Sequence, residues 1–331
     1  MKQVNLYFPI ALLTLGLVVI SCSSSKKTES NRQELITENN VTENNSQVEQ
    51  ISVDDFTLPD IPSEITNSDL RAQYLVKHYW DHFSFRNREL IGRPEITEQA
   101  FVDYINILNY VPNEKANESI KETIKKAEVD TLMHAHFISL FEKYFYDPNS
   151  PFRNEELYIP VLNQIAKSSL LTDTEKSVYE FQLEMAMKNR VGKKGNNFKY
   201  TLASGKTFSF YELKSEYTLL MFSNPGCPTC ETVTRQLSSS EPIKNALTLN
   251  SSTRTMLTII TLYPDENLDE WLAHLPQMPA NWVHAYDKDL EITHKNLYDI
   301  KAIPTLYLFD NDKNVILKDT SIEAIENFFN N

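Results

Sequence analysis

Two cysteines stand two residues apart, Cys227 and Cys230, in the stretch Ser223-Asn224-Pro225-Gly226-Cys227-Pro228-Thr229-Cys230-Glu231. Thiols at that spacing can ligate a metal, staple the chain or exchange disulfides. A structural zinc site needs about four ligands, and this pair supplies two. No second pair exists, and His274, His284 and His294 show no paired ligand spacing. Haem attachment through such a pair needs a histidine next, and Glu231 stands there instead. A disulfide across so small a loop stabilises little, because the entropic gain grows with loop length. Thiol–disulfide exchange is the favoured reading, ahead of a structural disulfide and of zinc.

Exchange needs one reactive thiol and one resolving thiol, so the elements around the pair matter. Tyr217 to Ser223 (YTLLMFS) is a short continuous apolar run, the pattern of a buried strand. A helix is expected from Pro228 or Thr229 to about Leu237, and Pro228 suits its first position, where no N–H is needed. The N-terminal thiol then meets unsatisfied N–H groups and the positive end of the helix dipole, which favour a thiolate. Cys227 is therefore the expected nucleophile, and Cys230, one turn in and more buried, resolves the mixed disulfide. Further strands are expected over 198–202, 255–263, 305–309 and 315–318, and helices over 267–275, 290–298 and 322–329. Strands alternating with helices give an α/β sheet covered on both faces.

The chain has 331 residues, enough for roughly two domains, and 17 Phe and 16 Tyr can fill real cores. Its formal net charge of -13 argues against nucleic acid, which wants basic patches. From about residue 62 to 190 the periodicity is helical: Ala72, Leu75, Val76, Tyr79 and Phe83 share one helix face. More helices are expected over 97–110, 115–128, 131–145, 154–167 and 173–189. Gly192 to Asn197 (GKKGNN) is a glycine- and lysine-rich break and marks the boundary between an all-helical domain, 61–191, and the α/β domain, 198–331. His78 and His82 are four apart but lack the glutamate of a zincin helix, and His134 and His136 give no better set, so no metal site is expected.

The N-terminus points to the compartment. Leu6 to Ile20 is an apolar run built like a secretory signal. Val19-Ile20-Ser21-Cys22 resembles the lipobox of bacterial lipoproteins, which implies a signal peptide over 1–21 and a lipidated Cys22. Residues 22–60, polar and almost free of aromatics, then read as a disordered tether. The mature chain would lie outside the cytoplasm, where disulfides persist.

A strand, then Pro225-Gly226-Cys227-Pro228-Thr229-Cys230, then a helix, and later Ala302-Ile303-Pro304-Thr305 entering a strand, resembles the thioredoxin fold over about residues 198–331. The resemblance implies that Pro304 is cis against the cysteines and that the Ile303 backbone pairs with an extended client segment. Four positions depart from the family. Gly226 stands where many thioredoxins have Trp, Met221 where many have a buried Asp, and Pro228-Thr229 replace the Gly-Pro of reducing members. Glu231 and Asp265 are the candidate proton acceptors for Cys230 in place of that Asp. A peroxiredoxin pattern fails at Thr232, where its cysteine would be.

The full layout resembles thioredoxin-like lipoproteins of the Bacteroides group, whose helical domain has no assigned function. It implies a membrane-tethered extracytoplasmic thiol–disulfide oxidoreductase without a cofactor, on the periplasmic face of the outer membrane. Its partners would be protein thiol or disulfide clients and a membrane thiol protein relaying electrons, and no nucleic acid. A reductase is favoured over an oxidase or isomerase. The alternative is an envelope-interaction lipoprotein with an inert disulfide, whose helical domain carries the function.

Overall fold

A computed structural model of the chain describes residues 56–330. The signal peptide, Cys22 and most of the expected tether lie outside the described residues. Phe56, inside the stretch read as tether, already stacks on Tyr79 with ring centres 5.2 Å apart. Among the described residues no helix is long and apolar enough to cross a membrane.

The helical part comprises α1 (Ser68–His78), α2 (Thr97–Leu108), α3 (Asn113–Ala127), α4 (Thr131–Phe141), α5 (Glu155–Ile165) and α6 (Asp173–Ala186). Asn67 caps α1 by accepting the N–H groups of Asp69 and Leu70. Thr172 and Glu175 close a capping box on α6. Trp80, Phe83, Phe85, Phe101 and Phe137 form the centre of its core. Most of these rings meet edge to face, the arrangement their quadrupoles favour. One buried polar chain runs through it: Tyr104 meets Ser119 at 2.8 Å, and Ser119 donates to the Val76 carbonyl at 2.7 Å. A π-helical turn, Glu142–Tyr146, follows α4. His78 pairs with Asp81, and His134 is buried. Among the described residues no group of three or more His, Cys, Asp or Glu side chains could hold a metal.

The second part holds β1 (Lys199–Leu202), β2 (Thr207–Ser209), β3 (Tyr217–Phe222), α7 (Pro228–Ser239), α8 (Glu241–Thr248), β4 (Leu257–Tyr263), α9 (Leu268–His274), β5 (Val283–Tyr286), α10 (Glu291–His294), β6 (Thr305–Phe309), β7 (Val315–Leu317) and α11 (Ile322–Asn330). The strands form one mixed sheet in the order β2-β1-β5-β4-β3-β6-β7. At its centre β3 runs parallel to β4 and antiparallel to β6. One apolar cluster fills one face, around Phe198, Phe210 and Tyr307, and another fills the other, around Leu219, Leu237 and Ile325. The fold is thus an all-helical part followed by an α/β part, as the sequence implies.

One expectation changes. The helix expected over 290–298 shrinks to α10, because Leu290 (φ 50°) and Asn296 (φ 49°) take the left-handed conformation at its two ends. The break at residues 192–197 is tied to the sheet by backbone hydrogen bonds. Gly192 donates to the Val315 carbonyl, Val315 to that of Lys193, and Gly195 to that of Lys313, at 2.8, 2.8 and 2.9 Å. The segment therefore lies along β7 and continues the sheet edge.

A methyl group on Gly195 would sit 2.5 Å from Cε1 of Phe309, a ring that is fully buried. Gly195→Ala is expected to destabilise the fold by about 1–3 kcal/mol through overpacking. Urea unfolding checks this; an unchanged midpoint would mean that the Phe309 ring yields at no cost.

Candidate redox site

The strand β3 ends at Phe222, and the chain turns through Ser223–Gly226 into α7. Gly226 sits at φ 67°, a conformation that side chains rarely adopt. Glycine meets it without the steric cost that a Cβ would bring. Cys227 then occupies the N-cap of α7, with Pro228 following at the first helical position. Its Sγ accepts the backbone N–H of Cys230 at 3.2 Å, the job a Ser or Asp oxygen usually does at a cap. Cys227 is half-buried and Cys230 is 4% exposed, and both are free thiols. Pro228 and Thr229, the two residues between them, are exposed.

The Ile303–Pro304 peptide bond is cis. The Cys227 thiol points at the Ile303 carbonyl, with Sγ 3.8 Å from the oxygen. Thr305, the first residue of β6, pairs with Phe222, the last residue of β3. One strand pair thus brings residues 227 and 303 together across a gap of 76 positions. The fold assembles every residue the sequence singled out here: Gly226, Cys227, Pro228, Thr229, Cys230, Ile303 and Pro304.

Burial pushes the Cys230 thiol up to about 12; its contact with Cys227 adds to the rise, and the Asn224 backbone N–H partly offsets it. Met221 is fully buried in the same apolar cluster as Cys230, so a thioether occupies the position where an acid was missed. Of the two alternative acids, Asp265 accepts the Asn224 side-chain N–H at 2.7 Å, and Glu231 is exposed on the first turn of α7. A cavity of about 340 Å³ opens beside Cys230, and Asn224, Glu231, Arg235 and His274 help line it. Asn224 was missed by sequence reasoning, since nothing marks it but its place in the turn.

The residue match falls in two parts. Residues 21–189 match a family described as a domain of unknown function (DUF5106), and residues 215–315 match a family described as thioredoxin-like. A crystallised thioredoxin-like protein from Bacteroides caccae is 47% identical with a TM-score of 0.79; the match covers 83% of this chain and 97% of that one. The C-terminal domain of an uncharacterized protein from Bacteroides fragilis is 42% identical (TM-score 0.41), covering 43% of this chain and 99% of that one. A domain of a possible thiol-disulfide isomerase from Cytophaga hutchinsonii is 24% identical (TM-score 0.36), covering 43% and 92%. Among curated proteins, none matches the chain.

Proposed function

The chain belongs to the thioredoxin-like proteins that carry an N-terminal domain of unknown function, DUF5106, and from that premise we propose that it is a thiol–disulfide oxidoreductase acting on protein disulfides. One observation carries the reading. A half-buried thiol caps a helix against the Ile303 carbonyl, and a buried thiol waits one turn behind it.

The chemistry balances over two steps. The Cys227 thiolate attacks one sulfur of a client disulfide; that S–S bond breaks, a Cys227–client bond forms, and the other client sulfur leaves as a thiolate. Cys230, once deprotonated, attacks Cys227 Sγ and expels the first client sulfur. The client gains two electrons and leaves as a dithiol, and Cys227 and Cys230 end as a disulfide. An external dithiol must reduce that bond for the next cycle, a role suited to a membrane thiol protein. Ile303 and Pro304 form the edge on which an extended client segment lies, through backbone hydrogen bonds of the kind a strand makes.

We place the reaction outside the cytoplasm, on a lipid anchor at Cys22 in the outer membrane facing the periplasm, because Val19-Ile20-Ser21-Cys22 ends an apolar leader. Reduction is the favoured direction. The resemblance to membrane-anchored members that keep their clients reduced supports that direction. The reduction potential of the Cys227–Cys230 couple, measured on the full chain in detergent, tests this. A value of about −250 mV or lower is expected. A value near about −120 to −180 mV would make the chain an oxidant or isomerase, and a pair that never cycles would remove the enzyme reading altogether.

A further inference from the structure

The helical part and the sheet belong to one compact unit, and charged side chains fill the seam between them. Glu155, at the first turn of α5, holds two lysines of the other part. Its Oε1 meets Lys318 Nζ at 2.5 Å and its Oε2 meets Lys301 Nζ at 3.3 Å. Both lysine side chains are nearly buried, 8% and 9% exposed. Each ammonium is fully engaged. Lys318 also donates to the Ala186 and Lys188 carbonyls, at 3.0 and 2.6 Å, and so closes the end of α6. Lys301 also meets Asp299 at 2.9 Å and lies over the ring of Tyr146, 4.7 Å from its centre. Tyr146 is the last residue of the π-helical turn, a feature that re-aims side chains within a helix. Arg153 completes the seam with Asp319, at 3.1 Å to its carboxylate and 2.8 Å to its carbonyl.

What makes this more than a domain contact is where the lysines sit. Lys301 lies three residues before Pro304, in the loop that carries Ile303. Lys318 directly follows β7, whose Leu317 pairs with Leu308 of β6. The two lysines therefore grip both ends of the β6–β7 hairpin, and one carboxylate from the helical part holds both. The loop between α10 and β6 has no regular hydrogen-bonding of its own from Leu297 to Pro304. Its ends are tied within the α/β part, by Tyr298 donating to the Asn196 carbonyl and Thr305 to the Ala302 carbonyl, both at 2.6 Å, and Lys301 ties its middle to the helical part.

We infer that the helical domain sets the client groove: Glu155 is a positioning residue that, through Lys301 and Lys318, holds the Ile303–Pro304 loop at the distance from Cys227 that an extended client strand needs. This rests on the oxidoreductase reading for its meaning but not for its detection. It gives the domain of unknown function a role in recognising protein clients, with no part in the electron transfer.

The test uses the full chain carrying Glu155→Gln, with Glu155→Asp as the conservative variant. Hydrogen exchange read by mass spectrometry over residues 299–306 is expected to quicken about tenfold in Glu155→Gln, with β3 and β4 unchanged. In turnover, KM for reduced insulin chains' parent disulfide, intact insulin, is expected to rise about threefold to tenfold. The rate with a small disulfide such as hydroxyethyl disulfide, which needs no strand-like docking, should hold, and Glu155→Asp should recover most of the insulin KM. Equal losses on insulin and on the small disulfide, or unchanged exchange over 299–306, would overturn the inference. Should Glu155→Gln fail to fold, Lys301→Gln, which removes one arm of the seam and leaves Lys318 on Glu155, reads the same two quantities. A wild-type chain that turns over neither disulfide sinks the enzyme reading, and the exchange data still decide whether Glu155 holds the loop.

Discussion

Cys227→Ser stops reduction of a protein disulfide, with a loss on the order of a thousandfold or more, while Cys230→Ala lets the first step run and halts the second. The two outcomes differ because the site gives the sulfurs different positions. Cys227 is half-buried with Sγ at the cap, where a client sulfur can reach it, and Cys230 is 4% exposed behind it. Serine at 227 can accept the Cys230 N–H as the sulfur does, since Ser is among the preferred cap residues. The fold is therefore expected to survive, and the lost rate reports chemistry. Alanine at 230 removes only the resolving sulfur, so the Cys227–client bond has no intramolecular attacker. The chain should accumulate as a mixed disulfide, visible as a shifted band on a non-reducing gel and identified by mass spectrometry at Cys227. If Cys227→Ser keeps most of the wild-type rate, or Cys230→Ala traps nothing from clients present in excess, the assignment of nucleophile and resolver is wrong.

The site was legible because its signals are local. A continuous apolar run, a turn with glycine, a cysteine and then proline spell a buried strand feeding a helix start, and the fold delivers β3 and α7 there. Pro304 was legible only through resemblance, since nothing in its own neighbourhood tells a cis proline from a strand-leading trans one. The seam was not legible at all. Glu155 and Lys301 are 146 residues apart, and a lone charged residue reads as solvated surface until its partner is known. The same holds for residues 192–197, whose glycines and lysines signal a break while their hydrogen-bond partners lie at residues 313 and 315. β5 escaped because four residues, one of them a histidine, carry too little pattern, yet it joins β1 to β4 and so closes the sheet. The short reach of α10 was hidden for a related reason. The Asp287 carboxylate takes the Ile292 N–H at 2.7 Å and starts the helix, and no composition signal announces that Asn296 ends it.

The burial of Cys230 fixes two pH dependences of opposite sense. Its thiol is pushed from an ordinary value near 9 up to about 12, chiefly by burial. Resolution needs the thiolate, so the decay of the Cys227–client mixed disulfide should rise about tenfold per pH unit from pH 7 to pH 9 without levelling. Stability moves the other way. Below pH 9 the folded and unfolded chains both hold this proton, and the group contributes no pH dependence. Between pH 9 and 12 the unfolded chain has released it and the folded chain has not, so the folded state binds more protons and loses stability as pH rises. The loss is about 1.4 kcal/mol by pH 10 and tends towards about 4 kcal/mol at pH 12. Urea unfolding of the reduced chain at pH 8 and pH 10, compared with Cys230→Ser, isolates this term from the tyrosines and lysines that titrate in the same range. Stopped-flow decay of the mixed disulfide supplies the rate. A plateau in that rate below pH 8, with the stability difference still present, would mean that a base takes the proton during resolution. The cavity beside Cys230 would then be the place to find it, since Glu231 and His274 both line it and no acid replaces Met221. A rate that climbs straight through pH 9 means that the chain resolves its mixed disulfides without such a base, and that exclusion of water around Cys230 sets the pace of release.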